Sequence, residues 1–186
     1  MAERSKILGQ LRLGVVYLFV AALVVVSKPT PQVFVVGLLF TAVGETFRLW
    51  AAGHLVKSVR LITSGPYAHT QNPLYLGRLL ILTGVAIAAR NEQFINLVAL
   101  IVGYAIFFLY YLPRKIRVEG GRLARLHGAG FEAYHKQVPI LFPSLRRYPE
   151  ADRTPWSLRL MVSNQEPFVL AGLALVFVLL GWKVAH

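Results

Sequence analysis

At 186 residues, with 56% hydrophobic side chains and a mean hydropathy of +0.56, the chain is too apolar for a soluble domain. The absence of cysteine excludes disulfides, thiolate metal sites and a cysteine nucleophile. A net charge of +12 would suggest nucleic acid in a soluble protein, but here the basic residues lie beside apolar runs. Membrane orientation and anionic headgroups account for them, and membrane lipids rather than nucleic acid are the expected partners.

In chain order, the first apolar run follows Arg4, Lys6 and Arg12 as in a signal peptide. Its end, Val25-Val26-Ser27-Lys28-Pro29, offers no clear small-x-small cleavage site and more spans follow, so residues 13–27 read as a retained helix. Lys28-Pro29-Thr30-Pro31 turns the chain into a second span over 33–50. A polar stretch, 61–77, precedes a third span over 74–89, and Arg90-Asn91-Glu92 leads to the fourth and cleanest, 94–112. In the long polar region that follows, 114–126 and 131–137 are expected as helices separated by Gly128–Gly130. Residues 140–143 suit the membrane interface, and 153–164 could lie along the surface as an amphipathic segment. We read 144–166 as a linker, and 168–185 closes the chain as a fifth span. The expected architecture is a single all-α membrane bundle of about five transmembrane helices. Basic residues gather on the side holding Arg48, Lys57, Arg60, Arg78 and the 114–159 loop, which places the N-terminus and both polar stretches in the cytoplasm.

The stretch 61–77 is the most informative. Gly65-Pro66 and Asn72-Pro73 are turn signals seven residues apart, and Pro73 is placed to open a helix. Between them lie Tyr67, His69, Thr70, Gln71 and Asn72, a dense set of donors and acceptors at a bilayer edge. They suit a held ligand, or a re-entrant connector whose polar groups satisfy one another. Glu45 and Arg48, three residues apart in the second span, are a functional pair or a packing lock. His127 and His135 lack a third ligand at metal spacing, so no metal is assigned. Tyr104, Phe107, Phe108, Tyr110 and Tyr111 read as packing and an aromatic belt, or as a lipid entrance.

Thr63-Ser64-Gly65-Pro66-Tyr67, then Asn72-Pro73-Leu74-Tyr75-Leu76-Gly77, resembles the motif of the isoprenylcysteine carboxyl methyltransferase and phospholipid methyltransferase family. Arg48-Leu49-Trp50-Ala51 resembles its upstream element. Glu119, Leu123, Gly128, Tyr134, Val138 and Pro139 resemble its downstream half, in the expected order and spacing. The resemblance implies an S-adenosylmethionine-dependent membrane methyltransferase that takes an amphiphilic acceptor, either a prenylcysteine-like carboxylate or a phospholipid amine. It implies cofactor contacts from Val59, Arg60, Leu61, Ile62, Tyr67, Asn72, Pro73, Leu74, Tyr75 and Glu119. Lys115 takes the place of a substrate arginine, so Lys115 and Glu119 are the expected catalytic pair, and His54 and Lys57 match a further cofactor region. The implied division is a first hairpin (1–58), a cofactor stretch (59–77), a second hairpin (78–112), catalytic helices (113–143), a linker (144–166) and a last helix (167–186). That helix could serve as an anchor or a homo-oligomer contact.

The residue chemistry is consistent with these roles. Aromatic faces at Tyr67 and Tyr75 suit cations and flat rings, Glu119 suits an ammonium, and Lys115 suits a carboxylate or lipid phosphate. The departures are Gln71 for a basic residue, Asn72 for histidine, Gly120 for a second glutamate, Phe131 for another aromatic and Lys115 for arginine. The last exchange loses a bidentate fork. Two rival readings remain: a binding or transport protein that kept the fold, and a nicotinamide-dependent lipid reductase of similar topology.

Overall fold

The computed structural model describes residues 14, 18–56 and 60–186, and the regular structure among them is helical. Helix α1 is seen over residues 18–26, so the first expected span lies partly outside the described residues. Helices α2 (Pro31–Ala52) and α3 (Pro73–Ala88) each carry proline in the first turn, where a missing N–H costs no hydrogen bond. Helix α4 runs from Ile95 to His127, followed by α5 (Ala129–Gln137), α6 (Leu158–Ser163) and α7 (Glu166–Ala185). Ser157 caps α6 by accepting from Leu160 N–H.

Among the described residues, α2, α4 and α7 are long and apolar enough to cross a membrane, while α3 is apolar but has 16 residues. Only 6% of the most apolar window of α4 and 11% of that of α7 is buried inside the chain, so their side chains turn outward toward lipid.

One element differs from the sequence reading. The fourth span was expected to end at 112, with a new helix from 114; instead a single 33-residue helix passes straight through Pro113. Proline removes one donor and crowds the carbonyl four residues back. Wide π-helical turns at Phe107–Tyr111 and Ile116–Gly120 flank the α-helical Leu112–Lys115, and the extra room lets the helix continue. At about 1.5 Å per residue, α4 is roughly 50 Å long, so its second half projects beyond a ~30 Å hydrocarbon core.

Helices α2 and α3 pack antiparallel, almost backbone to backbone. Gly37 faces Gly84 and Gly44 faces Gly77; a Cβ on Gly44 would lie 2.7 Å from Gly77 O, and one on Gly84 2.5 Å from Gly37 O. Small residues permit this approach, which lipid alone would not drive. Helix α7 is built into the same bundle: Phe177 and Leu180 pack with Leu23, Val24, Val85 and Ala88, and Phe34 meets Phe177 edge-on at 5.8 Å.

The bundle has two distinct ends. At one, Lys28 N–H donates to Arg90 O (2.7 Å), Lys28 pairs with Glu92, and Lys183 Nζ donates to Val24 O and Val25 O (2.9 and 2.7 Å). At the other, Arg48 Nη2 contacts both Glu166 oxygens (2.8 and 2.7 Å) and Arg48 Nε lies 3.1 Å from Oε2, all buried. Glu45, the partner expected from spacing, lies farther off at 3.5 Å. The stretch 61–77 and the polar region 113–164 meet at this second end.

Candidate functional site

The loop entering the site is shaped around Gly65, whose φ of +57° suits glycine and whose Cβ, if present, would strike the His54 ring. His54 is buried and shares a 3.1 Å hydrogen bond with Ser64 Oγ, and burial holds its pKa below the ordinary imidazole value. A single 3₁₀ turn, Gly65–Ala68, then turns Tyr67 inward. Burial raises the Tyr67 phenol well above its usual pKa, with Tyr134 adding to the effect, and the Tyr134 hydroxyl donates to Tyr67 O at 2.7 Å. Both phenols therefore stay protonated.

The loop is held from outside by residues 138–152, which run antiparallel to it. Gln71 N–H donates to Pro139 O (2.9 Å), Thr70 Oγ1 to Leu141 O (2.8 Å), and the N–H groups of Ser144 and Tyr148 to His69 O and Ala68 O (both 2.9 Å). Asp152 N–H reaches Thr63 Oγ1 at 2.9 Å, and Tyr148 is buried edge-on against Tyr134. Farther on, the Trp156 indole donates to Leu49 O and the Asn164 amide to Ala52 O and Leu55 O. Residues 144–164 thus close the end of α2 as well as connecting α5 to α7.

Asn72 stands where a helix cap would be, but its side chain does not cap α3. Its amide donates to Ile140 O (2.7 Å) and its oxygen accepts from Lys115 Nζ. Lys115 also pairs with Glu119 at 3.2 Å and lies 4.7 Å from the centre of the Tyr75 ring. Two segments 43 residues apart are thereby joined across one space. That space is a cavity of about 500 Å³. Arg60, Leu61, Ile62, Tyr67, Asn72, Pro73, Leu74, Tyr75, Lys115 and Glu119 all line it. Of the expected cofactor set, Val59 lies outside the described residues, as does Lys57; His54 sits behind the loop.

Several lining residues were given no part in this site from sequence. Arg78, counted there only as a topology charge, faces the cavity with its guanidinium 5.2 Å from the Tyr75 ring centre. Its spacing of three from Tyr75 on one helix face was the available signal. Arg122 and His135 also line the space, and His135 shares a 2.9 Å hydrogen bond with Gln71. The described lining therefore carries Arg60, Arg78, Lys115 and Arg122 against one carboxylate, Glu119. Leu55, Val56, Ile62, Leu123 and Phe131 give it an apolar side.

Residues 13–119 match the profile of the phospholipid methyltransferase family. The chain belongs to that family. The match covers α2, α3 and α4 as far as Glu119 and includes the Gly65–Gly77 motif; the downstream residues 123–139 lie beyond it. The cobalt-zinc-cadmium resistance protein CzcN of Cupriavidus metallidurans is 31% identical over 121 residues, 64% of this chain and 53% of the relative. The nickel-cobalt-cadmium resistance protein NccN of Alcaligenes xylosoxydans xylosoxydans is 33% identical over 112 residues, 59% of this chain and 49% of the relative. The chain thus spans about half the length of the curated relatives it matches. No solved structure matches it. Membership in the phospholipid methyltransferase family, with three helices among the described residues long and apolar enough to span a bilayer, marks a membrane protein.

Proposed function

We propose that the chain transfers a methyl group from S-adenosylmethionine to an amphiphilic acceptor that reaches the cavity from the bilayer, at the cytoplasmic side of a five-span, N-inside protein. The observation that supports this most is the convergence of the family motif, Tyr67 to Tyr75, with Lys115 and Glu119 on one cavity of about 500 Å³. Small-molecule sites run from roughly 300 to 1,000 Å³.

The donor set fits the cofactor group by group. The Tyr75 face already attracts two cations and suits a sulfonium. Among the described lining residues Glu119 is the carboxylate that could pair with an ammonium, while arginines at 60 and 122 offer partners for a carboxylate. When bound, the cofactor supplies an electrophilic methyl group for in-line attack by an acceptor oxygen or nitrogen. The chain's contribution is alignment and dryness: Asn72 and Lys115 fix the separation of the two walls, and Leu55, Ile62, Leu123 and Phe131 exclude water. An ionised carboxylate acceptor needs no base, whereas an alkylammonium must first lose a proton. Lys115 is the proposed contact to the acceptor.

Calorimetric titration of the purified chain with S-adenosylmethionine tests the reading. Glu119→Gln and Tyr75→Ala should each weaken binding about tenfold or more, the loss expected for a charge-assisted contact or a desolvated cation–π contact. Unchanged affinity in both variants, or preference for a nicotinamide dinucleotide over S-adenosylmethionine, overturns it.

A further inference from the structure

Arg78 lines the cavity with neither a hydrogen bond nor an ion pair to another described residue. Lys115 is paired with Glu119 and bonded to Asn72, and Arg60 pairs with Asp152 at 3.4 Å. Arg122 has a partner of its own. Among the described residues Arg78 makes no hydrogen bond and no ion pair, and its contact is the Tyr75 ring. The nearby carboxylate of Glu166 is committed to Arg48 through three short contacts.

The position of Arg78 is as informative as its charge. It lies five residues into α3, about 7.5 Å along the helix from Pro73 and so close to the end that carries the polar loop. Tyr75, Arg78 and Leu82 form one stripe at helical spacing. Tyr75 packs on Phe107 at 5.8 Å and Leu82 lies against Gly103, so the stripe faces α4 and Arg78 stands in the seam between the two helices. Across that seam the wide turn Phe107–Tyr111 presents an aromatic wall, with Phe108, Tyr110 and Tyr111 exposed. A guanidinium at an apolar seam, opening into the cavity on one side, suits a ligand with an oxyanion on an apolar tail.

We propose that Arg78 determines acceptor specificity by binding the oxyanion of the amphiphile, carboxylate or phosphate, with the tail lying between α3 and α4. The assignment rests on the methyltransferase reading for its consequence in catalysis, but the binding step stands apart from it. An arginine fork matches either oxyanion bidentately, whereas an uncharged headgroup would leave the guanidinium without a counter-charge.

The test uses the full chain in a neutral maltoside detergent, titrated by intrinsic fluorescence with dodecyl phosphate, dodecanoate and dodecanol. The wild type should bind one or both anions at least tenfold more tightly than the alcohol, and the stronger of the two identifies the headgroup. R78Q should lose that preference, roughly 10- to 100-fold for the favoured anion, with dodecanol binding unchanged. R78K should keep part of it. The melting temperature should be the same in R78Q as in the wild type, and any change in S-adenosylmethionine affinity should be smaller than the change for the favoured anion. Equal binding of the three probes by the wild type, or a preference that survives R78Q, overturns the assignment. An arginine that merely reaches bulk lipid phosphate gives the second result. If the chain binds anions through Arg78 but not S-adenosylmethionine, the methyltransferase reading fails and this one stands.

Discussion

At the scale of single residues, the site depends on side chains diverted from ordinary structural duty. Asn72 precedes a helix beginning with proline and would cap it in most contexts, yet both ends of its amide are spent on Ile140 and Lys115. That diversion cannot be read from the sequence, where Asn-Pro signals only a turn. His54 is a second case. Its buried ring has a pKa below the ordinary 6.5, so between that lower value and 6.5 the unfolded chain binds more protons than the folded one. Stability is therefore full above about pH 6.5 and falls as the pH drops below it. Melting temperatures measured from pH 8 down to pH 5 should show this decline, and His54→Gln should flatten it. An unchanged slope in His54→Gln would assign the acid sensitivity elsewhere.

Elements were legible where periodicity or a breaker speaks locally. Pro73 marked a helix start, Gly128 marked a stop with its φ of +50°, and the apolar runs gave α2, α3 and α7 to within a few residues. The break expected between 112 and 114 does not form, because the crowding of Pro113 is absorbed by wide turns whose formation depends on neighbours rather than on composition. The antiparallel hold of 138–152 on the motif loop was also hidden, since it is made largely by backbone groups that every residue carries. The glycine seam does leave a trace, in residues seven apart on each helix. Gly44→Ala should force α2 and α3 apart, costing about 1–3 kcal/mol by overpacking, whereas Gly172→Ala, with open space around it, should cost nothing measurable. Thermal unfolding of both variants in detergent checks the contrast.

Across the whole molecule, the feature furthest from sequence reasoning is the Arg48–Glu166 pair, because its members are 118 residues apart. It fastens α7 to α2, which makes the last helix part of the bundle that carries the cavity. Removing one partner strands a buried charge, so Glu166→Gln should lower stability by about 3–5 kcal/mol, while the double variant Arg48→Met, Glu166→Leu should recover much of the loss. A double variant no better than Glu166→Gln would show that the pair acts through something other than charge matching. The same pair has a consequence during synthesis. Arg48 is made 118 residues before Glu166, so until α7 exists its guanidinium has only Glu45 of the same helix at hand. Docking of α7 against α2 then supplies the closer carboxylate and completes the neutralisation.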